Sequence, residues 1–149
     1  MLVDAQVNIN GSKEAVWAVV TDIENAAEIL SGVEKIEIVE RPANGLIGLT
    51  WQETRMYFGK PATIEKHITE AVENQYYKTR AEDSGFVFLS TMSITESGSD
   101  GGLKLTTSHD TQPQGFVAKL KSAPMIFFKG VIRKALMQDL NDIKAVVEK

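Results

Sequence analysis

The chain contains no cysteine and only two histidines, His67 and His109, among its 149 residues. Disulfide bonds and thiolate chemistry are therefore excluded, and a reducing compartment is compatible with the sequence. The two histidines do not have the spacing of zinc ligands, so we expect no metal site. The sequence also lacks a Gly-x-Ser-x-Gly motif, a Walker loop and a Gly-x-Gly-x-x-Gly motif. Hydrolase, nucleoside triphosphatase and dinucleotide-binding functions thus have no support, and we expect no cofactor.

Long apolar runs and an excess of basic residues are also missing. No run of about 18 apolar residues occurs, which indicates no integral membrane segment, and Met1–Val7 lacks the features of a signal peptide. The formal net charge of −4 argues against a nucleic-acid partner, because phosphate contacts require a basic surface. With 43% hydrophobic and 24% charged residues, we expect a cytoplasmic protein with one domain over residues 1–149.

The most informative stretch that is present is amphipathic and lies at the C-terminus, over Ser122–Lys149. Its apolar residues recur at steps of three and four, which places on one helical face Phe128, Ile132, Leu136, Leu140, Ile143 and Val147. Ser122 is suited to cap this helix, and Pro124 is tolerated in a first turn. We expect one continuous helix, roughly 35 Å long, that needs a broad apolar partner.

The N-terminal part of the chain predicts a strand followed by two short helices. Leu2–Asn10 alternates between apolar and polar residues, as a half-buried strand does. Ser12 is a plausible cap for a helix over Lys13–Val20. A second short helix is expected after Thr21 and Glu24, which have the spacing of a capping box.

Six further strands follow, rich in β-branched and aromatic residues and separated by turn residues at hairpin distances. They are expected over residues 33–40, 46–57, 62–72, 75–81, 86–95 and 103–111. The short turns imply an antiparallel meander. The predicted fold class is therefore α+β: a curved seven-stranded antiparallel sheet wrapped around a long C-terminal helix, with two short helices between strands 1 and 2. A helix across a bent sheet cannot touch it everywhere, so we expect a cavity between the two.

This order of elements resembles the helix-grip superfamily called SRPBCC, which includes START lipid-transfer domains and polyketide cyclase/dehydrase-like proteins. The local signatures that support the resemblance are Ser12–Trp17, Asp22, Gly48–Arg55, Gly59-Lys60 and Leu140–Lys144. None of them is a catalytic fingerprint, so they specify the fold better than the activity. The resemblance implies an internal hydrophobic cavity for lipids, polyketides or other small apolar molecules.

Side-chain alternation along the strands predicts which residues line this cavity. We assign to it the aromatic face of strand 86–95, the face of the last strand that ends at His109, and the Trp51 face of strand 46–57. With the helix, the predicted ligand-binding residues are Trp51, Glu53, Arg55, Ile64, Phe86, Phe88, Ser90, Met92, Leu105, Thr107, His109, Met125, Phe128, Ile132 and Leu136. For each apolar member, ordinary core packing is an equal alternative.

Three polar residues are candidates for proton transfer. An unperturbed histidine has a pKa near ~6.5, which suits acid–base catalysis by His109, although a hydrogen-bonded structural histidine at the sheet rim is the preferred interpretation. Glu53 shares a strand face with Arg55, so the two could pair, lie solvated outside, or leave Arg55 to bind a ligand carboxylate. Asp139 falls within the apolar stripe of the helix, where it would either meet Arg55 or His109 across the cavity or lie at the stripe's edge. We expect the edge, because Asp is rarely buried without a partner.

These features support three functions. The first, which we expect, is a non-catalytic carrier or sensor that encloses a small hydrophobic molecule. The second is a cyclase/dehydratase-type enzyme in which His109, with Glu53 or Asp139, moves protons on a bound carbonyl compound. The third is a protein-docking module that would use a basic face formed by Lys119, Lys121, Lys129, Arg133 and Lys134.

Overall fold

The computed structural model describes residues 1–98 and 102–149, apart from the side chains of residues 117, 118 and 121–125. Its strands are β1 (Leu2–Ile9), β2 (Val33–Glu40), β3 (Thr50–Tyr57), β4 (Lys60–Val72), β5 (Tyr76–Asp83), β6 (Phe86–Glu96) and β7 (Leu103–Pro113). Its helices are α1 (Lys13–Val20), α2 (Ala26–Ile29), α3 (Gly115–Ser122) and α4 (Lys129–Val147), with 3-10 segments at Ile23–Asn25 and Ala123–Phe128.

The seven strands form one antiparallel sheet in the order β1-β7-β6-β5-β4-β3-β2. Strands β2 to β7 pair with their sequence neighbours, as the short turns predicted, and β1 joins the far edge beside β7. Register shifts interrupt the pairing in β2 and β4, and such bulges bend a sheet. The predicted α+β class, with its curved seven-stranded sheet and two short helices after the first strand, is confirmed.

The third strand is shorter than predicted, because β3 begins at Thr50 and not at residue 46. Gly45 and Gly48 have φ angles of 70° and 97°, a left-handed backbone that a strand does not contain. The amide of Gly48 still donates to the carbonyl of Ile68 at 2.9 Å. The segment before β3 is therefore a turn that remains attached to β4.

Of the two short helices, α1 has a side-chain hydrogen bond at each of its ends. Ser12 caps α1, and its Oγ accepts a hydrogen bond from the Ala15 amide at 3.1 Å. The predicted capping box is wrong: no side chain caps the segment that follows α1. Thr21 Oγ1 instead donates to the Trp17 carbonyl at 2.7 Å. Thr21 thus closes the end of α1, where its hydroxyl and its backbone N–H both donate to the Trp17 carbonyl.

The C-terminal stretch is not one continuous helix, so that prediction is wrong. A 3-10 segment, Ala123–Phe128, separates α3 from α4. Pro124 lacks the backbone N–H that a helix interior uses, and proline also disfavours helical geometry at the preceding residue. α4 has 19 residues, about 28 Å at ~1.5 Å per residue. Within the described part of the chain, no helix combines the length and apolar character needed to cross a membrane.

The core lies between the sheet and the second half of α4. Leu140 and Ile143 are buried in one cluster with residues of α1 and of six strands or their flanking turns, including Ile9, Val16, Leu49, Trp51, Ile68, Tyr77, Ile94, Leu103 and Leu105. Polar bonds fix the helix along β1: Lys144 Nζ donates to the Asn8 carbonyl at 2.7 Å, and Glu148 accepts from the Asn10 amide at 2.8 Å. The C-terminal end of α4 is therefore anchored beside the end of β1.

Candidate functional site

One face of the sheet is turned toward α4, and the strand register identifies its side chains. Across β6 and β7, Ser90 lies opposite His109 and Met92 lies opposite Thr107. Leu105, two residues before Thr107, packs in the cluster that contains the buried residues of α4. The faces that alternation assigned to the inside of these two strands are therefore the helix-facing ones.

The strand whose orientation was open, β3, turns its Trp51 face toward α4. Trp51 is in the buried cluster, and Glu53 and Arg55 follow it on the same side of the strand. The side chains of Glu53 and Arg55 are only 8% and 17% exposed. The alternative that placed this pair on a solvated outer face is therefore wrong.

The helix-facing surface is fully buried at one end, which we call the closed end, and only partly buried at the other, which we call the open end. At the closed end, toward the C-terminus of α4, Trp51, Leu105 and Thr107 are buried. At the open end, apolar side chains with two polar neighbours are only half-buried: Ile64, Phe86, Phe88, Ser90, Met92, His109, Ile132 and Leu136. We call these eight residues the groove, and all of them were among the predicted ligand-binding residues.

Two residues predicted to line the cavity, Phe128 and Met125, are not among these eight. Phe128 is 45% exposed, and its ring lies edge-on to Phe58 with centroids 6.0 Å apart. It therefore sits at the mouth of the groove, beside the turn between β3 and β4. The side chain of Met125 lies outside the described part of the structure, so its prediction is untested.

Four charged side chains form a cluster at the border between the closed end and the groove. Arg55 donates to both oxygens of Asp139, with Nη1–Oδ1 at 3.2 Å and Nη2–Oδ2 at 2.8 Å. Its Nε donates to Glu53 Oε2 at 2.8 Å, and Lys66 Nζ donates to the same oxygen at 2.9 Å. The edge position expected for Asp139 is wrong, since its side chain is 14% exposed and has a bidentate partner. The cluster ties α4 to β3.

Gly32, which precedes β2, lies directly beside this cluster. A Cβ atom at position 32 would be 3.0 Å from Arg55 Nη1 and 3.7 Å from Asp139 Oδ1. The adjacent Ser31 donates from its amide and its hydroxyl to Asp142 Oδ2, at 2.9 and 2.8 Å. The turn is therefore held against α4, and the absence of a side chain at position 32 leaves room for the guanidinium.

Glu53 and Arg55 of this cluster are charged at neutral pH. Burial alone would raise the pKa of Glu53, but the positive charges of Lys66 and Arg55 lower it to about 2. Burial would lower the pKa of Arg55, yet its bonds to Asp139 and Glu53 raise it. Burial raises the pKa of Asp139, a rise that its hydrogen bonds with Arg55 oppose. A ligand carboxylate would therefore have to displace Asp139 or Glu53 in order to bind Arg55.

His109 is a polar residue of the groove that does not belong to the charged cluster. Its Nδ1 shares a hydrogen bond of 3.0 Å with Ser90 Oγ, and its ring stacks on Phe88 with centroids 5.9 Å apart. Burial, with a smaller contribution from Lys66, lowers the pKa of His109 to about 4. The imidazole is therefore neutral at pH 7, a state in which it can accept a proton.

The three predicted proton-transfer residues do not form one hydrogen-bonded unit. Glu53 and Asp139 are joined through Arg55, whereas His109 is bonded to Ser90. Among the described residues, no group of three or more His, Cys, Asp or Glu side chains could hold a metal ion. The arrangement therefore offers one neutral base in the groove and one ion cluster at its border.

Sequence analysis did not identify Lys66 or Tyr77. Lys66 lies between Ile64 and Ile68 on the alternating face of β4, so strict use of the two-residue period would have placed it inside. Tyr77 is buried, and its hydroxyl donates to the Val20 carbonyl at 3.1 Å. This bond ties β5 to the end of α1 and leaves the hydroxyl committed to the core.

A curved antiparallel sheet that grips a C-terminal helix defines the START-like, or SRPBCC, class of proteins, as the sequence resemblance indicated. Residues 2–148 match the family described as polyketide cyclase/dehydrase and lipid transport. The chain therefore belongs to this family. No curated protein sequence gives a significant match.

Solved structures share this fold over their full lengths. A START superfamily protein from Mycobacterium smegmatis has a TM-score of 0.80 and 17% identity, with 99% of this chain and 97% of that chain covered. A Streptomyces aromatase/cyclase has a TM-score of 0.76 and 18% identity, with 99% and 93% covered. Norcoclaurine synthase from Thalictrum flavum has a TM-score of 0.71 and 14% identity, with 99% and 94% covered. At these identities the likeness establishes the fold alone.

Proposed function

We propose that the protein binds a small, mostly apolar molecule in the groove between the sheet and the first half of α4. The observation that carries this proposal is the partial exposure of an apolar face, whose strands are buried a few residues further along. A ligand that covered these side chains would gain about 25 cal/mol for each Å² of apolar surface removed from water, before association costs. The family's description, which names polyketides and lipids, supports the same class of ligand.

The polar groups of the groove favour a ligand with one uncharged polar end. Ser90 and His109 form a neutral pair that suits a carbonyl or hydroxyl group. A free carboxylate would have to compete with Glu53 and Asp139 for Arg55. Breaking that ion cluster would leave buried charges without partners, which is costly.

Mass spectrometry of the gently purified protein tests this proposal most directly. We expect a co-purified molecule of mostly hydrocarbon character that carries a carbonyl or hydroxyl group. An apolar fluorescent dye provides a second probe: Phe88→Trp would narrow the groove and weaken dye binding several-fold. Ile47→Trp, at an exposed position outside the groove, is the matched control. Unchanged affinity in Phe88→Trp, or equal losses in both variants, would contradict the proposal.

A cyclase or dehydratase activity is the second candidate, and the neutral imidazole of His109 beside Ser90 is the observation that favours it. His109 could take a proton from a carbon next to a ligand carbonyl. As imidazolium it would return that proton to a departing hydroxyl, so that water leaves and a carbon–carbon double bond forms. Exclusion of water from the groove would assist both transfers.

Replacement of His109 separates the two candidates. In a carrier, His109→Gln keeps ligand affinity within a few-fold, because an amide preserves polar contact with Ser90. In an enzyme, the same variant still binds but loses turnover by at least about 100-fold. His67→Gln is the matched control, since His67 lies on the other face of β4 from the groove residue Ile64. Equal loss of turnover in both variants would argue against a catalytic His109.

A further inference from the structure

We propose that the open end of the molecule docks on an anionic lipid surface. The contact would be made by six apolar side chains, which we call the rim: Tyr57 and Phe58 at the β3–β4 turn, Phe116 and Leu120 of α3, and Ile126 and Phe127 of the 3-10 segment. This surface is distinct from the groove, and its docking does not require that the groove hold a ligand.

The rim is unusual in how much aromatic surface it exposes. Phe127, Phe58 and Phe116 are 83%, 79% and 75% exposed. Their elements adjoin, because the Phe58 ring lies 6.0 Å from the ring of Phe128 and so joins the β3–β4 turn to the 3-10 segment. Exposed apolar side chains that gather in one place mark an interaction surface.

Elsewhere on the described surface, the exposed large apolar residues are not aromatic and are less exposed. Outside the rim and its neighbour Phe128 they are aliphatic and at most 56% exposed: Leu2, Val39, Ile47, Met56, Val72, Val131 and Val146. Single residues of that kind are normal on a folded protein. The aromatic exposure is therefore a local property of the open end.

Basic residues are also concentrated near the rim. Residues 115–138 contain five basic residues and no acidic one, although the whole chain carries −4. The other 125 residues therefore carry −9. The β3–β4 turn adds Lys60 without an acidic neighbour between residues 54 and 64. The β5–β6 turn, at the same end of the sheet, follows the acidic residues Glu82 and Asp83, which orients the docking side toward the β3–β4 turn.

Exposed aromatic side chains next to basic residues fit an anionic lipid surface best. Aromatic side chains on short turns can enter the boundary between headgroups and acyl chains while adjacent Lys and Arg residues meet anionic phosphates. A second copy of the chain would bring two basic rims together, so like-charge repulsion opposes self-association there. An acidic protein would match the charge but gives no reason for bulky phenylalanine rings on separate turns.

The test is co-sedimentation of the full chain with vesicles of phosphatidylcholine, with and without phosphatidylserine. We expect binding that is stronger with phosphatidylserine and weakens as salt rises. The pair Phe58→Ser and Phe127→Ser should lower the partition coefficient at least about tenfold. The matched control is Val39→Ser with Ile47→Ser, two exposed apolar residues far from the rim, which should bind like the wild type.

A second pair of variants addresses the charge. Lys129→Glu with Lys134→Glu should remove the preference for phosphatidylserine, whereas Lys35→Glu with Lys78→Glu, on β2 and β5, should keep it. Folded protein that binds neither type of vesicle overturns the proposal, as does equal loss in the rim and control variants. Self-association that Phe58→Ser and Phe127→Ser abolish, without vesicle binding, would assign the rim to a second copy instead. Dye binding in the groove is measured separately, so failure of one proposal leaves the other testable.

Discussion

The two ends of the helix-facing surface use similar side chains for different purposes. At the closed end, Leu140, Ile143 and Trp51 are buried in one cluster. At the open end, Phe86 and Phe88 occupy the same face of the sheet but remain half-buried. An apolar face that is completed in one half and left incomplete in the other indicates that the first half stabilises the fold, and the second half is the part that the proposed ligand would cover.

The border between the two ends is ionic. The Arg55–Asp139 pair joins α4 to the sheet between the fully buried Leu140 and the half-buried Leu136. Lys66 and Glu53 complete a cluster without net charge, so its partners are satisfied within the protein. Four predictions test this contrast between the ends.

The largest effect is expected from truncation within the closed end. Leu140→Ala should lower the unfolding free energy by about 3–4 kcal/mol, because Leu140 is fully buried and a cavity would remain. Leu136→Ala, one helical turn earlier and half-buried, should cost about 1 kcal/mol. Urea unfolding measures both. Similar losses for the two variants would show that the helix is packed equally along its length.

At the border, Glu53 should make the unfolding free energy depend on pH in the acidic range. Unfolding returns its carboxyl from a pKa of about 2 to the ordinary 4.5, so the unfolded chain binds a proton that the folded chain does not. The unfolding free energy should therefore fall by about 3 kcal/mol between pH 4.5 and 2. Glu53→Gln should remove this part of the acid slope. Glu65→Gln, at an exposed neighbouring position, should keep it, and an unchanged slope in Glu53→Gln would contradict the assignment.

In the groove, His109 should make the unfolding free energy depend on pH in a higher range than Glu53 does. The folded chain holds its pKa near 4, whereas the unfolded chain binds a proton below about 6.5. The unfolding free energy should therefore fall as pH drops from 6.5 to 4, by about 2 kcal/mol because the ring is partly exposed. In urea unfolding, His109→Gln should remove the pH dependence of the unfolding free energy between pH 6.5 and 4. His67→Gln should leave it unchanged. A slope that persists in His109→Gln would place its origin elsewhere.

The smallest effect is expected at the rim. Phe127→Ser should change the unfolding free energy by less than about 0.5 kcal/mol, since the side chain is 83% exposed. Thermal unfolding of the variant provides the measurement. A loss above about 1 kcal/mol would show that Phe127 contributes to the core, and the contrast between the ends would then fail.

The sheet and its faces followed from the sequence because alternation is a local signal. Once the turns of the meander were placed, the two-residue period put Ser90 and His109 on one face and carried Glu53 and Arg55 with Trp51. Burial and register in the structure agree with these placements. The same two-residue period places Lys66 on the inner face of β4, between Ile64 and Ile68.

Other features depended on contacts that no local pattern contains. The Arg55–Asp139 pair joins residues 84 positions apart, and only the tertiary fold brings them together. Thr21 had two possible roles, and its hydroxyl bonds backward to α1 instead of forward to the next segment. The helical period continues through the 3-10 segment, so it could not show where α4 begins.

The absence of a side chain at Gly32 leaves room for the guanidinium of Arg55. With only hydrogen there, the guanidinium stays in its pocket and remains bonded to the helix carboxylate. Even a methyl group would press on the guanidinium at 3.0 Å and force this flexible end to move. The hydrogen at position 32 therefore lets Arg55 keep its two bonds to Asp139, so that this guanidinium is already paired with a carboxylate of the protein.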